Sequence, residues 1–265
     1  METKNIICFG FGQVAKNFIK KLNDQGISFK LTTTSREESK NKKFENLSYE
    51  SFQFTEEGFD ENFISKFKEA DHILISVAPI NGVDIVIKNL QNHFKSKKLK
   101  WITYLSATSV YGDHSGEWVD ENSETKPTSP NGIERLKVEK EWMQLASKFD
   151  LPIQIFRLSG IYSNKYNILT RLKSGDVKII NKKNHFFSRI HVEDIANILS
   201  SSLNNFKNKE IYNISDNQPA SSEEVTMYGV KLLGTDKPKI IETSEIVSEM
   251  LKNFYKDSKK VDNKK

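Results

Sequence analysis

Residues 5–18 read NIICFGFGQVAKNF, an apolar run that breaks at Gly10, turns through Gly12 and resumes with apolar residues at helical spacing. Val14, Phe18 and Leu22 share one face of a helix expected over residues 13–25. The stretch therefore predicts strand, tight turn and helix in immediate succession. In the spacing Gly10-x-Gly12-x-x-Ala15 each small residue has a task. Gly10 makes the turn, Gly12 lets backbone N–H groups approach a pyrophosphate, and Ala15 keeps the helix close to the strand. Gln13 and Val14 open that helix, whose positive end faces phosphate charge. A Gly-x-Gly alone says little. One that leaves a strand and enters an amphipathic helix points to a dinucleotide.

The end of the second strand, SFKLTTT at 28–34, selects the dinucleotide. An Asp or Glu there would accept from the ribose 2′-hydroxyl and select NAD. The chain instead has Thr34-Ser35-Arg36, with Lys40 beyond. Arg36 is a fixed cation whose fork suits a phosphate, and Ser35 adds a hydroxyl. Glu37 and Glu38 are expected to begin a helix and point away. These residues favour NADP, with NAD as the alternative.

Further strands are predicted at DHILISVAP (71–79), WITYLSA (101–107), PIQIFRLSG (152–160) and IYNIS (211–215). Helical patterns fall at 60–69, 82–95, 131–149 and 191–204. Near-continuous apolar strands alternating with helices predict a doubly wound parallel α/β sheet, covered on both faces. Ligands of such sheets sit at the carboxyl ends of the strands. That rule brings Ala78 and Pro79 beside a nucleoside, and Ser106, Thr108, Ser109 and Tyr111 to a neighbouring strand exit. The rhythm breaks at 166–185 and again after 214. Residues 1–165, completed by 186–214, are expected to form the nucleotide-binding domain. Residues 166–185 and 215–265 are expected to form a smaller C-terminal lobe for substrate.

Composition sets outer limits. Hydrophobic residues make up 37% and aromatics 11% of 265, enough for a real core. No apolar run approaches membrane-spanning length, and METKNIICFG lacks the apolar segment of a signal peptide. The single cysteine, Cys8, excludes a disulfide framework and suggests a cytoplasmic protein. Forty Lys and Arg against 35 Asp and Glu give +5, but the cations are spread along the chain, which argues against nucleic acid. Only the tail KNFYKDSKKVDNKK is concentrated, and it reads as a solvent-facing helix end or frayed terminus. The histidines show no metal spacing. The partner expected is a small molecule, and a homodimer is compatible with it.

YLSATSVYGD, SPNGIERLKVEKEW, FRLSGIY and FSRIHVEDIANIL follow in an order and spacing that resemble the extended short-chain dehydrogenase/reductases. More narrowly they resemble the atypical members described as NAD-dependent epimerase/dehydratase-like. The resemblance runs to about residue 215 and weakly beyond, and relatives commonly continue past the equivalent of Asn263. It implies a Rossmann domain holding NAD(P) and a C-terminal lobe forming the substrate pocket. In active relatives a Ser or Thr lies four residues before the Tyr of VYG, and a Tyr-x-x-x-Lys pair heads the following helix. That tyrosine moves a proton at the substrate oxygen, while the lysine lowers its pKa and binds the nicotinamide ribose.

Here those positions are Ala107, Asn131 and Arg135. Alanine offers no hydroxyl, asparagine is no general acid at neutral pH, and arginine does not titrate. Arg135 can still bind ribose or phosphate. The literal Tyr255-x-x-x-Lys259 lies in another part of the fold and reads as coincidence. Replacement candidates are Tyr111 and Thr108, beside a packing role for Tyr111. His114, Asn131 and Arg189 are candidates for substrate contact, with Arg189 suited to an anionic group. Trp118 reads as an anchor for its loop, with stacking on a ligand as the alternative. Three functions stand side by side: an NADP-dependent oxidoreductase or epimerase-like enzyme on a small polar substrate such as a nucleotide sugar, a non-catalytic NADP(H) sensor, and, against the charge distribution, an RNA binder.

Overall fold

The computed structural model describes residues 2–95 and 99–265. Its first half runs β1 (Lys4–Phe9), α1 (Gln13–Asp24), β2 (Phe29–Ser35), β3 (Lys40–Phe44), β4 (Leu47–Gln53), α2 (Phe63–Glu69), β5 (His72–Ile75), α3 (Ile85–Leu90) and β6 (Trp101–Ala107). Then come β7 (Trp118–Val119), α4 (Pro130–Phe149), β8 (Ile153–Leu158), β9 (Gly160–Tyr162), α5 (Ile168–Lys173), β10 (Ile179–Asn181) and β11 (Arg189–His191). The chain closes with α6 (Val192–Ser202), β12 (Glu210–Ile214), α7 (Ser222–Leu233), β13 (Ile240–Glu242), α8 (Glu249–Lys256) and β14 (Lys260–Val261).

Eight strands form one sheet in the order β12-β8-β6-β5-β1-β2-β4-β3. β1 pairs in parallel with β2 on one side and β5 on the other, and β2–β4 and β5–β6 are parallel too. The chain moves outward from β1 to β2 and β4, then returns to β5 and β6. The order therefore reverses between β1 and β5, where open α/β sheets hold ligands. Every residue of β5 and β8 is buried, as helices on both faces require. On one face α1 packs against α6, and Phe18 stacks on Trp101 at 5.9 Å. Phe9, Phe54, Phe63, Phe67 and Trp142 belong to a second cluster. Each such ring removed from water contributes roughly 1.5–3 kcal/mol.

Residues 1–106, 134–157 and 192–212 form one compact unit, and residues 107–133, 158–191 and 213–265 a second. The second holds the pairs β9–β11, β10–β13 and β7–β14, with α5 packed on α7 and a small core of Ile180, Ile241, Ile246 and Tyr255. Residues 107–133 and 158–165 thus cluster apart from the strands that the sequence rhythm joined them to. The bonds of the 107–133 segment explain this: Gly116 N–H donates to the Ser258 carbonyl at 2.9 Å, and Asp262 N–H to the Val119 carbonyl at 2.8 Å.

Two expectations are corrected at this level. The segment after Arg36 is no helix but the strand β3, antiparallel to β4. Its lysine-rich face suits an edge strand, where charge discourages further pairing. The basic tail is built in rather than frayed: Ser258 and Val261 are buried, and β14 pairs with β7. Among the described residues no helix is long and apolar enough to cross a membrane.

Candidate active site

Gly10 leaves β1 with φ +80°, and a Cβ there would stand 3.0 Å from Val77 Cγ1 and 3.1 Å from Ser76 Oγ. Only glycine meets both demands. Its N–H donates to Thr34 Oγ1 at 3.2 Å, while Ser76 Oγ donates to the carbonyls of Phe9 (2.9 Å) and Gly10 (3.2 Å). The ends of β1, β2 and β5 are tied together at this point. Gly12 is the N-cap of α1 and makes no side-chain cap, so no side chain claims the first amides of the helix. A Cβ at Gly12 would meet nothing within 4 Å. The first turn carries no acid. Open amides, a positive helix end and the absence of a competing carboxylate fit a diphosphate. Gln13 is exposed, whereas the Val14 side chain is in the core and leaves only its amide for a ligand.

At the end of β2 Arg36 is exposed and Ser35 half-buried, with Ser51 Oγ donating to Ser35 Oγ at 3.4 Å. Phe11, between the two glycines, packs on Phe44 at 5.5 Å and Tyr49 at 5.1 Å. Ser76 and this aromatic group were missed in the sequence, and Thr34, quoted with Ser35-Arg36, was given no role of its own. Beyond β5 Ala78 is exposed and Pro79 half-buried.

Several polar residues at and beyond the exit of β6 have partners of their own. Ser106 is buried and donates to Glu139 Oε1, which also accepts from Arg157 Nε at 3.2 Å, with Arg157 Nη2 on Oε2 at 2.8 Å. Its hydroxyl is committed to this buried ion pair. Arg135 Nη1 donates to the Leu105 carbonyl at 3.0 Å and steadies the strand end. Tyr111 is fully buried and donates to Asn213 Oδ1 at 2.7 Å, the packed arrangement and not that of an open acid. His114 turns Nε2 to the carbonyls of Tyr111 (3.1 Å) and Glu124 (3.2 Å), so it pins its loop. Arg189 Nη1 donates to the carbonyls of Phe187 (3.0 Å) and Ala220 (3.1 Å), with its guanidinium 4.9 Å from the Phe187 ring centre. It ties backbone rather than clamping an anion. Trp118 is 54% exposed; the buried Val119 anchors that loop instead.

Of the remaining candidates Thr108 is buried and Asn131 exposed near the head of α4. Tyr255 stacks on His185 at 4.7 Å, and Lys259 Nζ donates to the Gly112 carbonyl at 2.8 Å, so the literal Tyr-x-x-x-Lys has a structural use. Burial raises the Cys8 thiol pKa, consistent with an inert core residue. A surface cleft of about 390 Å³ runs along α3 and α4, beside Asp84, Lys137 and Glu141 and apart from the glycine turn. Its buried acid is spent: Asp84 accepts from two backbone amides and from Trp142 Nε1.

The family described as NAD dependent epimerase/dehydratase matches residues 9–215. No curated protein matches the chain. Among solved structures, a conserved protein of unknown function from Silicibacter pomeroyi is 29% identical with a TM-score of 0.80, over 99% of this chain and 90% of the other. A UDP-glucuronic acid 4-epimerase from Bacillus cereus, in complex with NAD, is 18% identical with a TM-score of 0.78 over the same shares. A dTDP-glucose 4,6-dehydratase from Bacillus anthracis, in complex with NAD, is 17% identical with a TM-score of 0.73, over 91% of this chain and 84% of the other. The likeness to the last two is one of fold.

Proposed function

The chain belongs to the NAD dependent epimerase/dehydratase family, and from that premise we propose that it binds NADP(H) and acts as a cytoplasmic NADP-dependent oxidoreductase or epimerase/dehydratase-like enzyme on a small polar substrate. One observation carries the reading. The α1 N-terminus is capped by Gly12 with no side-chain bond and no acid in its first turn, at the reversal point of the sheet. The amides of Gly12, Gln13 and Val14 would hold the diphosphate, and Arg36 with Ser35 the 2′-phosphate. Bound there, the cofactor would supply a hydride acceptor or donor.

The residues of this chain do the rest by position. Arg135 supplies a permanent positive charge and fixes the end of β6 through the Leu105 carbonyl. It moves no proton. Asn131 offers amide donors and an acceptor to polar groups of a substrate. Thr108 and Ser109 are the hydroxyls left for proton exchange once Ser106 and Tyr111 are taken by Glu139 and Asn213, and Thr108 is the one proposed to serve. Nucleotide sugars are the first class to test, because the neighbours of like fold include enzymes named for them.

Titration calorimetry tests the cofactor: NADPH binds more tightly than NADH, and Arg36→Ala removes about tenfold of that preference. Consumption of reduced cofactor over a metabolite panel tests the chemistry. Thr108→Val abolishes turnover and Tyr111→Phe spares it if Thr108 handles the proton. A second reading, an NADP(H) sensor without catalysis, has its own support in the committed hydroxyls of Ser106 and Tyr111. Tight NADPH binding with no turnover on any substrate favours it.

A further inference from the structure

We propose that the β3–β4 hairpin sets cofactor preference by withholding a carboxylate: Lys40 and Lys42 capture Glu37 and leave Arg36 to meet the cofactor's ribose. The inference rests on the NADP reading of Arg36. A carboxylate near the end of β2 accepts from a ribose 2′-hydroxyl and repels a 2′-phosphate. The chain places Arg36 and Glu37 side by side there, with opposite preferences. What decides between them is whatever else holds each side chain.

Glu37 is held. Its Oε2 lies 2.9 Å from Lys40 Nζ and 2.9 Å from Lys42 Nζ, and both lysines belong to β3. Hydrogen bonds from Lys40 and then Lys42 bring its carboxyl pKa down to about 2, so it is ionised at neutral pH. The hairpin that presents these lysines is itself fixed. β3 pairs with β4 from Lys40 to Phe44, β4 pairs with β2, and Gln53 N–H donates to Ser39 Oγ at 3.0 Å. Phe44 of β3 and Tyr49 of β4 pack on Phe11, inside the glycine turn. One element therefore both braces the diphosphate turn and draws off the acid. Over residues 36–43 four cations face two acids, so the field favours a phosphate.

The experiment measures Kd for NADPH and for NADH by calorimetry at low ionic strength, where exposed pairs are least screened. It compares the native chain with Lys40→Gln/Lys42→Gln and with the same pair of substitutions plus Glu37→Gln. Glu37 and Lys40 are exposed and Lys42 half-buried, and circular dichroism confirms folding. Releasing Glu37 lowers the NADPH-over-NADH preference about fivefold, the scale of an exposed charge pair. Removing the freed acid in the triple variant restores it. Two results overturn the inference: an unmoved preference in the double variant, or a preference that stays low in the triple variant, meaning the lysines meet the phosphate themselves. A native chain with no preference for NADPH instead overturns the NADP reading, and the inference with it.

Discussion

Alanine at Gly10 would need a backbone at φ +80° and a Cβ pressed onto Val77 and Ser76. Gly10→Ala is therefore expected to cost about 1–3 kcal/mol in urea unfolding and to weaken NADPH binding in the same preparation. Glu139→Gln leaves Arg157 charged and buried without its partner, a loss of about 3–5 kcal/mol read as a large fall in melting temperature. Tyr111→Phe removes one buried bond to Asn213, costs about 1 kcal/mol and leaves NADPH affinity unchanged. The glycines were legible because a turn imposes its demand on one residue. Ser106 was not: its partner Glu139 lies 33 positions on, and nothing in LSATS tells an inward hydroxyl from an outward one. The carbonyl partners of Arg189 and His114 were equally hidden, since a side chain that satisfies distant carbonyls has the composition of one that binds substrate.

WITYLSA matches β6 residue for residue, whereas the strand expected over 71–79 ends at Ile75 and the helix expected over 82–95 is confined to Ile85–Leu90. The hairpin escaped because KNKKF carries no apolar alternation, and an edge strand takes its conformation from its neighbour. The tail escaped because its lysines have specific uses. Ser258 N–H donates to Asp113 Oδ1 at 2.8 Å, and its Oγ donates to the Asn184 carbonyl at 3.0 Å. Deleting residues 257–265 is expected to loosen the 111–126 loop, read as faster amide exchange there. The tail also carries a pH signature. His185 is buried against Phe254 and Tyr255; burial lowers its pKa, the Phe254 carbonyl opposes that, and the charges of Lys182 and Lys259 add to it. His72 is lowered by burial likewise. The native chain thus refuses protons that the unfolded chain accepts. Stability from these rings is whole above about pH 6.5 and is lost as pH falls below it. Melting temperature should drop between about pH 7 and 5, and His185→Phe should flatten the slope.

For the whole molecule, alternation of strand and helix was enough to predict a doubly wound sheet, because burial on both faces leaves a plain mark on sequence. The division into two units was harder to read. Segments 107–133 and 158–165 follow sheet strands in the chain yet cluster with residues far along it, and sequence rhythm records only neighbours. Family membership narrows the cofactor to a pyridine nucleotide, and the resemblance implies that Ala107, Asn131 and Arg135 stand where active relatives carry their proton relay. Open amides where β1 passes into α1 are proposed to grip a diphosphate. Calorimetric titration of the purified chain with NADPH and NADH addresses this directly. Saturable one-site uptake, tighter for NADPH, is expected; absence of uptake of either nucleotide would contradict it.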